Sequence, residues 1–167
     1  MPVRLIEVDS GKLSVLDNLL QLYIHEMSRH RPTPFGPDGR YPTPQIAEIG
    51  DGRAIGLLIS VKGLLAGFAI VRRQRDDQGR LVSDVHEFFL AEAYRHLGFS
   101  EDEACLMFKR QPGWWRCRLL SEDAEGVQFW RSMLPRLTGA LVQEVVSPDG
   151  EETHFEFCVV PDAIAIS

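Results

Sequence analysis

The hydrophobic positions of this chain change period several times, and each change marks an element. Val3 to Val8 alternates apolar and polar side chains as a half-buried strand does, and Asp9-Ser10-Gly11 breaks the run. From Ser14 the apolar residues Leu16, Leu19, Leu20, Tyr23, Ile24 and Met27 recur at helical spacing, with Asp17, Asn18, His25 and Glu26 on the other side. Ser14-Val15-Leu16-Asp17 reads as a capping-box start for that helix. Arg31 to Gly52 is rich in Pro and Gly. Each proline removes a donor and restricts its predecessor, so the segment predicts an ordered surface excursion with one helical turn near Gln45 to Ile49.

Two apolar runs follow, Ala54 to Val61 and Leu65 to Arg73, joined at Lys62-Gly63 in the manner of a hairpin. A turn at Arg75 to Gly79 leads to an aromatic-rich strand at Asp84 to Leu90. A helix at Ser100 to Arg110, a strand at Trp114 to Leu120 and a helix at Ala124 to Leu134, stopped by Pro135, come next. The last strands, Ala140 to Val146 and Thr153 to Val160, flank the turn Ser147-Pro148-Asp149-Gly150. This order implies a mixed sheet of six to seven strands flanked by about four helices, an α/β (α+β) architecture.

Composition narrows the function classes. At 167 residues the chain fits one domain, 1–167, and its 44% hydrophobic and 25% charged residues are those of an ordinary globular protein. A net charge of −6 argues against general nucleic-acid binding, which needs a basic face to displace counterions. Cys105, Cys117 and Cys158 are odd in number and lack a CxxC spacing, so each is expected as a small buried hydrophobe and no metal is expected. No signal-peptide layout or membrane span is legible, and a cytoplasmic location is the expectation. His25 and His30 mimic a zinc-protease motif with one residue too many. That spacing turns them roughly 140° apart on a helix, which leaves a solvated helix end. Arg72-Arg73-x-Arg75 reads as a solvated basic cluster, and Trp114, Trp115 and Trp130 as core.

The segment that carries chemistry is Asp84 to Ser100, a strand running into a tight turn at Gly98 and then a helix start. Such a turn aims backbone N–H groups at one spot, where the helix dipole adds roughly half a positive charge. Arg95-x-x-Gly98-x-Ser100 resembles the Arg/Gln-x-x-Gly-x-Gly/Ala signature of the GNAT superfamily of acyl-CoA N-acyltransferases. Asn18 to Tyr23, Glu87 to Leu90 with Tyr94-Arg95, Gln111 to Trp115 and Gln128 to Arg131 resemble further segments of a bacterial subgroup.

The resemblance implies acetyl-CoA or another acyl-CoA as co-substrate, a small-molecule or protein amine as acceptor, and a possible homodimer. It places Phe89 and Leu90 along the pantetheine arm, with His96, Leu97, Gly98, Phe99 and Ser100 around the pyrophosphate beside Arg95. Asp123 holds the place of a cofactor-contacting Asn. Glu87 and His86, on opposite faces of their strand, are the candidate bases, with Glu87 preferred. Tyr41 and its prolines would roof an acceptor pocket by analogy.

The chain departs from the family pattern in three places. Ser100 replaces the second Gly/Ala, and Glu101, Asp102 and Glu103 follow it directly. These acids suit a helix start, yet each opposes a pyrophosphate by roughly 0.5–1 kcal/mol at 6–8 Å in a solvent-like dielectric. Phe129-Trp130 stands where many such enzymes carry a Tyr that protonates the departing thiolate. The sequence therefore supports N-acyl transfer by direct attack, with a GNAT-like ligand-sensing or interaction module that has lost transfer as the alternative.

Overall fold

Alternating strands paired across short turns build most of the molecule. The computed structural model describes residues 3–95, 101–138 and 141–161. In chain order the strands are β1 (Val3–Glu7), β2 (Ile55–Val61), β3 (Leu64–Arg75), β4 (Leu81–Leu90), β5 (Gly113–Leu120), β6 (Gln143–Val146) and β7 (Glu152–Val159). The helices are α1 (Leu13–Met27), α2 (Pro44–Gly50), α3 (Glu92–Arg95), α4 (Glu101–Lys109) and α5 (Ala124–Thr138). The strands form a seven-stranded sheet in the order β1-β2-β3-β4-β5-β7-β6. The β1/β2, β2/β3, β5/β7 and β6/β7 pairs are antiparallel and β4/β5 is parallel. This is the mixed sheet the sequence implies, and it is mostly antiparallel.

The chain divides into two compact units, one running through Arg72 and resuming at His86, the other taking Arg73–Val85 and the chain from α4 onward. In the first unit, Leu16 and Leu20 of α1 are fully buried against Val8, Leu58, Phe68, Ile70 and Phe89, with Ile46 and Ile49 of α2 packed beside them. Each such aliphatic side chain contributes about 1.5–3 kcal/mol on full burial. The β2–β3 hairpin closes through Lys62 and Gly63 at φ of 52° and 79°. Two positive-φ residues make the tight turn whose twist suits paired strands, as Lys62-Gly63 predicts. The register slips where Ile59 pairs with Gly67 but Ser60 pairs with Leu65, so Ala66 is an extra residue that bends β3.

The Pro-rich excursion is ordered, as expected, and α2 is its helical turn. Gln21 of α1 holds the Tyr41 backbone from both sides, accepting from its N–H at 2.8 Å and donating to its carbonyl at 3.0 Å. The Thr43 hydroxyl donates to Asp17 at 2.7 Å, and the Tyr41 hydroxyl lies 2.9 Å from His25 Nδ1.

In the second unit, Phe108 of α4 centres an aromatic cluster with Trp115 at 4.9 Å, Phe157 at 5.2 Å and Trp130 at 6.0 Å. Trp115 and Trp130 are core, as expected. Trp114 is 37% exposed, because its place in β5 faces away from α4 and α5, and the Arg80 guanidinium stacks on it at 4.2 Å. Cys105 and Cys117 are buried, whereas Cys158 is only half-buried. Burial, with the Asp84 charge beside it, pushes the Cys117 thiol far above its ordinary range and keeps it unreactive.

Several expectations are corrected. Ser14 does not cap α1: a 3-10 turn at Ser10–Lys12 feeds straight into the helix, and Asp9 captures the Gly11 N–H instead. Pro135 does not stop α5, which runs on to Thr138. A proline near a helix end removes one hydrogen bond without blocking the final turn. The stretch after β4 is not simply a tight turn but contains α3. Arg72 is not solvated, being 19% exposed and bound to two carboxylates, because its place in β3 faces the same side as Phe68 and Ile70. Nor is the end of α1 merely solvated, since Glu26 is paired with Arg95.

Candidate active site

The candidate chemistry gathers on the last five residues of β4. The parallel ladder with β5 covers Val82–Val85 against Trp114–Cys117, so His86–Leu90 lies beyond it. Glu87 faces α2 and β3. Its Oε1 accepts from Gln45 Nε2 at 3.2 Å, and its Oε2 lies 3.5 Å from Arg72 Nη1. Arg72 sits closer to Glu48, with Nη2 2.6 Å and Nε 2.7 Å from Glu48 Oε2. One guanidinium thus serves two carboxylates and neutralises Glu48 first.

Only 14% of the Glu87 side chain is exposed. Burial pushes its carboxyl above the usual glutamate range, and the Glu48 charge adds to the rise. The Gln45 hydrogen bond and the Arg72 charge pull it only part of the way back. A carboxyl held in this way is suited to act as a proton acceptor. Gln45 Oε1 is buried with no hydrogen-bond partner among the described residues, which makes it a ready acceptor beside the carboxyl.

Two residues on, β3 approaches the β4 backbone closely. A methyl group at Gly67 of β3 would overlap the Phe89 carbonyl oxygen and stand 2.9 Å from its carbonyl carbon and 3.0 Å from Leu90 Cα. Only a glycine admits this approach. The Ala66 bulge lies alongside, its carbonyl accepting from Ala91 N at 2.8 Å. The Phe89 ring is buried between Tyr23 and Phe68, at 6.2 and 5.8 Å, and Leu90 is buried too.

Arg95 fastens the end of the strand. Its Nε donates to the Leu90 carbonyl at 2.6 Å, and Nη1 and Nη2 fork onto the two Glu26 oxygens at 2.7 Å each. Its guanidinium also lies 5.6 Å from the Phe89 ring centroid. This fork holds the Glu26 carboxyl below the usual range against a smaller opposing effect of burial. Arg95→Ala is expected to cost about 2 kcal/mol in urea unfolding, since the Leu90 carbonyl loses this donor and Glu26 loses its two-pronged partner, keeping the exposed Arg29 contact at 3.2 Å. Lysine does not restore a planar fork. Because the folded-state pKa of Glu26 is depressed, its stabilising contribution is present above the unfolded value and is lost as pH falls through the folded one. Glu26→Gln should flatten that acid limb of a stability–pH curve.

The structure brings Glu87, Phe89, Leu90 and Arg95 onto one short stretch of the first unit. His86, half-buried, is their neighbour in sequence. His96, Leu97, Gly98, Phe99 and Ser100 lie outside the described residues. Asp123, in the second unit, caps α5, its Oδ1 accepting from Gly126 N at 3.1 Å. Sequence reasoning missed Gln45, Glu48, Glu26 and the pairing role of Arg72, because nothing in their spacing announces contacts 15 to 69 residues away along the chain. Gly67 carried a signal, a glycine inside a strand pattern. Among the described residues there is no group of His, Cys, Asp or Glu that would hold a metal ion, and no helix long and apolar enough to cross a membrane.

No protein-family model and no curated protein matches the sequence. Solved structures do match. The GNAT domain of S. lividans PAT is 14% identical and superposes with a TM-score of 0.62, over 94% of this chain and 90% of that one. A GNAT-family acetyltransferase from Staphylococcus aureus Mu50 is 11% identical with a TM-score of 0.62, over 95% and 100%. Arabidopsis thaliana Naa50, in complex with the bisubstrate analogue CoA-Ac-MVNAL, is 12% identical with a TM-score of 0.56, over 93% and 97%. At these identities the shared property is the course of the backbone, and that course is the fold of the GNAT superfamily.

Proposed function

We propose that this protein is an acyl-CoA-dependent N-acyltransferase, with acetyl-CoA the first acyl donor to test and a primary amine as acceptor. The observation that carries the reading is Glu87. It is a largely buried carboxyl with a raised pKa, two residues before the point where the β4 backbone is pressed against Gly67. Bound at this strand end, acyl-CoA supplies an activated thioester: the acceptor nitrogen bonds to its carbonyl carbon, the C–S bond breaks, and CoA departs as the thiolate.

The protein's own residues do the rest. Glu87 accepts the proton of the acceptor amine, and Gln45 and Arg72 hold its two oxygens in place. The backbone N–H near Leu90 is the donor assigned to the carbonyl oxygen, a fixed dipole of the type that stabilises developing oxyanion charge. Phe89 and Leu90 give the strand end an apolar wall, and His96–Ser100 are the proposed pyrophosphate turn. The Arg95 guanidinium is already committed to Glu26 and Leu90, so its part is to position β4. The acceptor parallel is with Naa50, whose bound analogue joins CoA to a peptide.

A second reading keeps the fold without transfer, as a ligand-sensing or interaction module. It draws support from α5, where Trp130 is packed into the core and Asp123 is used as a helix cap. Isothermal titration with acetyl-CoA and desulfo-CoA tests cofactor binding, and acceptor-dependent release of CoA then separates the two. Micromolar binding that disappears in Gly98→Asp supports the transferase and justifies an acceptor screen. No heat at millimolar cofactor rejects it in favour of the second reading.

A further inference from the structure

The second unit holds a cluster of charged groups that acyl transfer at β4 does not use. Along β5, Trp115 and Cys117 face the buried side under α4 and α5, so Arg116 and Arg118 face the opposite side. Beneath them lies Asp84, with no solvent exposure at all. Its Oδ2 accepts from Arg118 Nε at 2.9 Å and from Gln74 Nε2 at 3.0 Å, and lies 3.7 Å from Arg116 Nη1. Arg116 Nε donates to Glu156 Oε1 at 2.9 Å, its partner across the β5–β7 ladder. Both guanidiniums are therefore held by their Nε edges. Neither Nη of Arg118, nor Nη2 of Arg116, has an acceptor among the described residues. Arg118 keeps 28% of its side chain exposed and Arg116 16%.

We propose that Arg116 and Arg118 form a binding site for the carboxylate of a small molecule on this face of the second unit. Side chains two apart on a strand stand about 7 Å from each other on one face, a span that one carboxylate bridges with an oxygen to each guanidinium. Long flexible cations ordinarily lose much rotamer freedom on binding, but here Asp84 and Glu156 have already fixed them. The donors, not a net charge, select the ligand class: the unused Nη groups suit the two oxygens of a carboxylate, while Asp84 and Glu156 already neutralise the two arginines and so disfavour a polyphosphate. Its test reads arginine protection and does not require acyl transfer.

The test uses the native protein, treated with phenylglyoxal and mapped by peptide mass, with sodium propionate as the probe. Propionate at about 10 mM, the range a small contact without enclosure supports, should slow modification of Arg116 and Arg118 several-fold. Arg53, 64% exposed and paired with Asp51, should react at an unchanged rate. Arg118→Gln should abolish the protection at Arg116. Should that variant not fold, the protection pattern of the native protein decides. Equal rates with and without propionate, or equal slowing of Arg53, would overturn the site. Stronger protection by pyrophosphate than by propionate would overturn the carboxylate assignment.

Discussion

Gly67→Ala is expected to cost more than about 3 kcal/mol, or to prevent folding altogether, although it adds a single methyl group. The new Cβ would overlap the Phe89 carbonyl oxygen, and the next atoms it meets, the Phe89 carbonyl carbon and Leu90 Cα, are backbone as well. A flexible side chain could swing aside, but two strands of one sheet cannot separate without breaking their ladder. The neighbouring Ala66 bulge and the Ala91–Ala66 hydrogen bond hold β3 at this distance. Gly50→Ala is the control. It closes α2 with nothing within 4 Å of an added methyl and should gain about 0.5–1 kcal/mol from helix propensity. Urea denaturation of the two variants reads both signs. A Gly67→Ala protein as stable as the parent would show that β3 and β4 do not approach this closely.

Glu87→Gln is expected to lower the acyl-transfer rate by about 10²–10⁴-fold, the usual contribution of a positioned base. Stability at neutral pH should hold or rise. The sign follows from burial. The folded-state pKa of Glu87 is raised, so its favourable contribution is complete below the unfolded value and is lost as pH rises through the folded one. Replacing the acid by its amide removes the cost of ionising it in place and leaves an Oε1 for Arg72 and a group for Gln45 to bond. The parent's rate should climb with pH along a limb above the ordinary glutamate range, because the ionised form accepts the proton, and the variant should lack that limb. Equal loss of activity and stability would make Glu87 a structural acid rather than a base. Arg72→Gln offers a companion readout. Without the cation the carboxyl should titrate higher still, which moves the limb upward in pH.

The sequence by itself determined the elements and their order, because these rest on local chemistry. Helical spacing from Leu16 to Ile24 put Leu16 and Leu20 into the core whatever they packed against. Lys62-Gly63 closed the β2–β3 hairpin because positive φ is a property of the turn itself. The Pro-rich excursion carried its one helical turn where the spacing placed it, at Pro44–Gly50. Glu87, Phe89 and Leu90 were legible as neighbours because they share one strand.

What surrounds them was decided only by the tertiary structure. The Glu87 carboxyl is perturbed by Gln45, 42 residues earlier, and Arg72, 15 residues earlier, and Arg95 finds Glu26 across 69 residues. Trp114 and Trp115 are alike in sequence, yet one stacks under Arg80 in solvent while the other is core, a difference set by which face of β5 the helices cover. Periodicity reports how a residue is oriented within its own element. Desolvation and charge pairing depend on which other element arrives opposite it, and that is fixed only when the sheet and its helices close together.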